Sequence, residues 1–298
     1  MQGLALAMLS YFIWGLYPLF FNYLTDVMSV EVLAHRVIWS FVFTLAFALS
    51  LPSVRQKLAE LLKNKTALKW LSLSALLVGI NWLTYIVAVE RQMVVQASLG
   101  FFISPLVTLL MGWLILKERI HPLQLCAGVI ALFAVLWELW QIGSLPWVAC
   151  ILAFAFAGYG LVRKVYPVDG VNGLVVETLL LLPFCLGFVA WQFADVGQTP
   201  SFGSESNITL LLIAVGVVTA LPLILFAVAL RKINYSVVGF LMYINPTMQF
   251  LIAVYVLNEP MPESRWVTFA IVWLAMGLFL LGLYKSESPN VKVKEQEA

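Results

Sequence analysis

Apolar residues run along this chain in blocks too long for a water-soluble core. Ten stretches of roughly 17 to 23 residues carry few charges: 3–23, 30–50, 69–89, 95–116, 122–140, 144–162, 172–192, 208–230, 236–257 and 264–284. Each is close to the ~20 residues that a helix needs to cross a bilayer's hydrocarbon core. The polar breaks between them are short, except from Leu51 to Leu68 and from Phe193 to Asn207. After Tyr284 the chain turns polar, and 285–298 reads as a disordered tail. The pattern predicts an all-α polytopic membrane protein with ten transmembrane helices.

Composition agrees. The chain is 62% hydrophobic and 11% charged, against about 25% charged for a soluble domain. A net charge of +2 is too small to point to nucleic acid. Cys126, Cys150 and Cys185 lie in apolar runs without metal-ligand spacing. The N-terminus lacks a basic leader region and a cleavage site, so the first stretch reads as a span. No phosphate-cradling glycine loop, nucleophile elbow or metal-ligand pair is present, so the sequence points away from an enzyme, from a cofactor and from ATP-driven pumping by this chain alone.

With the N-terminus placed inside, the inner loops and tail hold 14 of the 17 lysines and arginines, Arg163 and Lys164 among them. That bias puts both termini in the cytoplasm. Pro105 and Glu118 are 13 residues apart, as are Pro246 and Glu259, and the two pairs are offset by 141. The same offset carries Ser104 onto Asn245, Thr108 onto Gln249 and Arg36 onto Glu177. Five spans is an odd number, so a second copy would lie upside down. The expected organisation is 1–140 and 144–284 as two inverted five-helix repeats, a construction that supports alternating access.

Charged and polar residues inside the spans mark candidate chemistry. Arg36 lies ~9 Å below the outer end of its helix at 1.5 Å per residue, where insertion costs about 2.5–3.5 kcal/mol. It either snorkels or faces a cavity. His35, about 100° round the helix, is a packing group or a proton carrier. Glu177 either bonds nearby groups structurally, couples transport to protons or contacts substrate. A direct pair with Arg36 would span roughly 13 Å of a ~30 Å core, so each is expected to anchor its own half. Asn81 shares a helix face with Ser74, Tyr85 and Gln92, and Asn245 shares one with Gln249. Such faces glue helices or wall a wet cavity. Trp14, Trp39 and Trp82 fall mid-span and, with Tyr85 and Phe102, are candidates for an aromatic pocket. Pro105 and Pro246 each remove a helix hydrogen bond near mid-span and read as kinks or hinges. Glu118 and Glu259 follow helix ends and are expected to help start the next helix, before Pro122 and Pro262.

The chain resembles the RarD group of EamA-type permeases, in the drug/metabolite transporter superfamily. The resemblance rests on Tyr11-Phe12-Ile13-Trp14-Gly15, His35-Arg36-Val37-Ile38-Trp39-Ser40, Asn81-Trp82, Ala97 through Leu106, Gly143-Ser144-Leu145-Pro146, Tyr159 through Lys164 and Glu177-Thr178. It covers nearly the whole chain. The family's Asn-Pro in the fourth span is Ser104-Pro105 here. The resemblance implies ten helices in two EamA-like inverted repeats, a central cavity, an inner-membrane location and export or permeation of small metabolites. The expected function is a secondary transporter of a small amino-acid-like or drug-like metabolite. Arg36 would bind an anionic group, Asn81 would orient it, and Trp14, Trp39, Trp82, Tyr85, Phe102 and Asn245 would surround it. Glu177, His35 and Gln249 would form a polar core with a proton-coupling role. The alternatives are a passive facilitator and a membrane-embedded interaction or sensor protein.

Overall fold

The computed structural model describes residues 2–91, 93–142, 147–195, 199–258 and 263–287, and contains no strand among them. The chain opens with α1 (Gln2–Gly15), α2 (Tyr17–Phe21) and a 3-10 turn (Asn22–Leu24). Then follow α3 (Ser29–Ser50), α4 (Pro52–Lys63), α5 (Lys65–Glu90), α6 (Val94–Leu114) and α7 (Pro122–Ile142). The second half holds α8 (Trp147–Val165), α9 (Gly170–Ala194), α10 (Ser206–Leu230), α11 (Tyr235–Leu241), α12 (Ile244–Tyr255) and α13 (Glu263–Glu287). Among the described residues, ten segments are long and apolar enough to cross a membrane, with α1–α2 and α11–α12 each counting as one. Gln92 and Glu259 lie outside the described residues, as does the tail beyond Glu287.

Three elements depart from the pattern of ten unbroken spans. The connection after Leu51 holds α4, started by Pro52. Its Val54, Leu58 and Leu61 pack against the bundle, while Arg55, Lys57 and Lys63 are exposed. It is too short and polar to span, but amphipathic enough to lie along the membrane surface. The first span breaks after Gly15, where Pro18 supplies no N–H to the helix ladder. The ninth breaks at Met242 and Tyr243, just before Pro246. There the Met242 carbonyl, which a proline cannot serve, takes the N–H of Asn245 at 3.0 Å. Pro105, by contrast, sits within the continuous α6. The two symmetric prolines therefore act differently: one breaks its helix and the other does not.

The helices pack in a regular pairing. α3 lies on α9, α7 on α13 and α6 on α11. α5 packs on α8 as α1 packs on α10; α6 on α8 as α12 on α1; α3 on α10 as α9 on α5. Exchanging each span with the one five places later maps this set of contacts onto itself. The ends of α6 and α12 match as well. Ile115 and Leu116 donate N–H to Met111 O at 2.9 and 3.2 Å, and Val256 and Leu257 donate to Ile252 O at 2.9 Å each. The next residues, Lys117 and Asn258, are both left-handed at φ 54. The 141-residue offset is thus repeated in local backbone geometry.

Small residues and hydroxyls let the helices approach, as in other membrane bundles. Ser40 Oγ on α3 donates to Gly216 O on α10 at 3.0 Å, and Ser10 Oγ on α1 donates to Pro222 O at 2.8 Å. A Cβ added at Gly216 would stand 2.7 Å from the backbone nitrogen of Ser40. That neighbour is backbone and cannot swing aside. Gly216→Val should therefore separate α10 from α3 and destabilise the protein by about 1–3 kcal/mol. The expected result is a lower unfolding midpoint in detergent, with Gly187→Val, where a Cβ meets nothing within 4 Å, as the unaffected control.

Candidate functional site

A cavity of about 660 Å³ runs into the bundle between α1, α3, α5, α6 and α12. That is ample for a small molecule, since ligand pockets span ~300–1,000 Å³. Its deep wall includes Tyr11, Leu99, Leu152 and Leu223. Its mouth lies at the Thr25–Ser29 connection, Leu257 and Arg265. Among the described residues, none from the opposite end of the bundle lines it.

Arg36 is the cavity's central charge. Its guanidinium carbon stands 4.6 Å from the centroid of the Trp82 ring and 5.9 Å from that of Tyr17. The residue is half-buried, and its Nε is buried without a hydrogen-bond partner among the described residues. The nearest ionisable groups are the hydroxyls of Tyr17 and Tyr85, not a carboxylate. A stacking contact contributes about 0.5–2 kcal/mol, which leaves the edge of the guanidinium and its N–H groups available. The support behind it is traceable. Pro222 cannot donate to Val218 O, and Tyr17 Oη donates there at 2.9 Å. That bond fixes the ring beneath Arg36.

Aromatic rings line the rest of the cavity. Trp14 packs 5.8 Å from Phe156 and 5.7 Å from Phe226. Phe102 lies edge-on to Phe269 at 5.3 Å, and Tyr85 stands 6.4 Å from Phe101. Asn81 lines the wall and donates Nδ2–H to Leu152 O at 2.9 Å, tying α5 to α8. Its face thus serves as glue and as wall at once. On α12, Gln249 Nε2 donates to Asn245 Oδ1 at 2.8 Å, and both residues line the cavity beside Pro246. Tyr243 Oη reaches across to Phe102 O at 3.1 Å. These two residues are separated by the repeat offset of 141.

Trp39, expected to line the pocket, and His35, expected in the polar core, both lie elsewhere. Trp39 and His35 are absent from the cavity wall; Trp39 Nε1 donates to His35 Nδ1 at 3.2 Å. His35 stacks on Phe202 at 4.6 Å. One helical turn before it, the buried Glu31 accepts from Gln192 Nε2 at 3.1 Å and from Phe202 N–H at 2.9 Å. Glu31, His35 and Trp39 recur every four residues, so they form one stripe along α3, engaged with Gln192 and Phe202 rather than with the cavity. This stripe clamps the connection after α9. That spacing was visible in the sequence, but Glu31 was not singled out.

Glu177 is also away from the cavity. Its Oε1 accepts from Ser74 Oγ at 2.5 Å and faces Arg163 Nη1 at 3.6 Å. Glu177 and Arg163 are 1% and 2% exposed. Arg163, counted from sequence as a cation of an inner loop, is therefore an interior residue. Gly173 makes room for it, since a Cβ there would fall 2.7 Å from the guanidinium carbon. Glu118 corrects a further expectation. Its carboxylate serves α11, far along the chain, rather than the start of α7: Oε1 accepts from Tyr235 N–H at 2.6 Å, and Oε2 from Ser236 N–H at 2.9 Å. The left-handed Lys117 turns the chain so that Glu118 points back across the bundle. Sequence reasoning also missed Tyr17, Phe156, Phe269 and the mouth residues Glu138 and Arg265. Among the described residues no group of three His, Cys, Asp or Glu side chains could hold a metal.

The sequence model of the EamA-like transporter family matches residues 1–139. A protein named RarD from Salmonella typhi is 43% identical over 280 residues, covering 94% of this chain and 95% of that protein. An uncharacterized transporter, YojE, of Bacillus subtilis is 40% identical, covering 95% of each. A chloramphenicol-sensitive protein RarD of Pseudomonas aeruginosa is 32% identical, covering 92% of each. A chain of known crystal structure superposes with a TM-score of 0.70 at 14% identity, over 96% of this chain and 99% of that one; at that identity it speaks to the fold alone. This chain belongs to the RarD group of EamA-like transporters. It is a multi-pass membrane protein of a transporter family.

The buried Arg163–Glu177 pair generates a double-mutant test. Removing one partner leaves an uncompensated charge in the bundle, which costs about 3–5 kcal/mol, whereas replacing both with apolar residues is often near neutral. Arg163→Met should therefore lower the unfolding midpoint in detergent more than Arg163→Met with Glu177→Met. Additive losses would show that the two side chains do not interact.

Proposed function

We propose that this chain is a secondary transporter that moves a small amphipathic metabolite bearing a carboxylate, by alternating access across the bacterial inner membrane. The observation that carries this reading is the cation of Arg36, held between aromatic rings in the cavity with no carboxylate beside it among the described residues. A carboxylate on its open edge would form charge-assisted bonds strengthened by the low dielectric around them. Trp14, Trp82, Tyr85 and Phe102 would cover the apolar part of the ligand, and Asn81, Asn245 and Gln249 would orient its polar groups.

The two-repeat reading of 1–140 and 144–284 is supported by three observations. The helix contacts exchange with one another in steps of five spans. The turns at Lys117 and Asn258 match. Tyr243 bonds Phe102, its partner at the offset of 141, as residues beside a two-fold axis would. Inverted halves can exchange conformations and so open the same site to either side. The bias of lysine and arginine favours cytoplasmic termini, and the cavity mouth would then face outward. Export of the ligand follows from the family resemblance. Glu177, being outside the cavity and paired to Arg163, is best read as an anchor of its helix rather than a substrate contact.

Counterflow into liposomes, run with a panel of aromatic and aliphatic monocarboxylates and their methyl esters, tests this. The acids should compete and the esters should not. Losing the charged contact, worth about 1.5–3 kcal/mol, should weaken apparent affinity roughly 10–100-fold in Arg36→Ala. Arg36→Lys should recover only part of it, because an ammonium cannot bind bidentately. A folded Arg36→Ala protein that transports normally would place the site elsewhere. Conductance without saturation would identify a passive pore.

A further inference from the structure

We infer that Glu118 is the positioning residue that holds the cavity shut at its blind end, so that the state of this one carboxylate sets which side the cavity faces. The inference rests on the alternating-access reading. The contacts are dense. Besides the N–H groups of Tyr235 and Ser236, Glu118 Oε2 accepts the Ser236 hydroxyl at 2.6 Å. Its own N–H is fixed to Gly112 O at 3.0 Å. Next to this contact, Tyr235 Oη donates to Ala157 O on α8, and Lys164 Nζ donates to Leu230 O and Ile233 O at 2.8 and 2.7 Å. None of Glu118, Tyr235, Ser236 or Lys164 lines the cavity.

Three features separate this contact from ordinary helix glue. It joins residue 118 to residues 235 and 236, so it crosses from one half of the chain to the other. It sits at the end of the α6–α11 seam, which must part if the cavity is to open at that end. The segment it holds is α11, seven residues long and set off from α12 by the break at Met242 and Tyr243. A short helix with a break behind it can swing as a unit, so its retention depends on what grips its free end. Further along the seam Thr108 of α6 packs on Gly239 of α11. Releasing Glu118 should expose Thr108 first.

The test reads accessibility at both ends and needs no substrate. Single cysteines are placed in a Cys126→Ala, Cys150→Ala, Cys185→Ala background: Thr108→Cys at the seam, and Leu33→Cys, which lines the cavity on the open side. The purified protein is labelled with a maleimide in detergent. Glu118→Gln retains one acceptor but presents an amide N–H to donors, so its grip is weakened. It should raise the labelling rate at Thr108→Cys about tenfold and lower it at Leu33→Cys. Ser236→Ala, which removes one donor and leaves the backbone, should shift both rates in the same directions by less; it also keeps the test open if Glu118→Gln does not fold. Rates that stay at the parent values, or that rise together at both ends, would overturn the assignment, because loosening of structure alone exposes both. Opposite shifts in a protein that shows no counterflow would keep the gate and reject the transporter.

Discussion

Inside a bilayer, a backbone group that loses its helical partner has no water to turn to. That constraint organises this protein. At two of the prolines that interrupt a helix, a side chain or a turn takes up the freed carbonyl. Pro222 frees Val218 O, and Tyr17 takes it. Pro246 frees Met242 O, and the chain bends so that Asn245 N–H can reach it. The answers differ in consequence. The first fixes an aromatic ring under Arg36, and the second breaks a span next to the cavity wall. Proline defects thus become the supports of the site.

The same constraint accounts for where charge is found. Arg36 and Glu177 occupy positions equivalent under the 141-residue offset, but the halves use them differently. Glu177 is matched by Arg163 and Ser74 in a buried cluster between α5, α8 and α9. Among the described residues, Arg36 has ring faces and hydroxyls around it and no carboxylate. A buried charge with a partner is an anchor, while one without a partner is a candidate for something that comes and goes. The difference follows from the Arg163 side chain on α8, which has no counterpart facing Arg36.

Much of the architecture was legible along the chain. The ten apolar blocks depend on local sequence alone, and the bilayer makes local hydropathy decisive. Six aromatic and polar candidates, Trp14, Asn81, Trp82, Tyr85, Phe102 and Asn245, line the cavity with Arg36 and Gln249. Trp39 and His35 do not: His35 is about 100° round the helix from Arg36, and Trp39, only about 60° away, is held by its N–H on His35 and its ring beside Phe202. His35's direction was computable from the period; Trp39's was not, because it depends on the connection that packs against it. Glu118 was misassigned for a different reason. Its partners are more than a hundred residues away, and only the left-handed turn at Lys117 aims it there.

The sequence by itself determined that this chain lives in lipid, how many times it can cross, and that its two halves share a pattern. These follow from composition and period, which are properties of each segment alone. The tertiary structure decided which charge is paired and which is free. It decided that Pro246 breaks a helix where Pro105 does not, and which end of the bundle is sealed. Those outcomes depend on what the facing helix presents at each depth, and in a bilayer that neighbour, rather than solvent, is the only partner available.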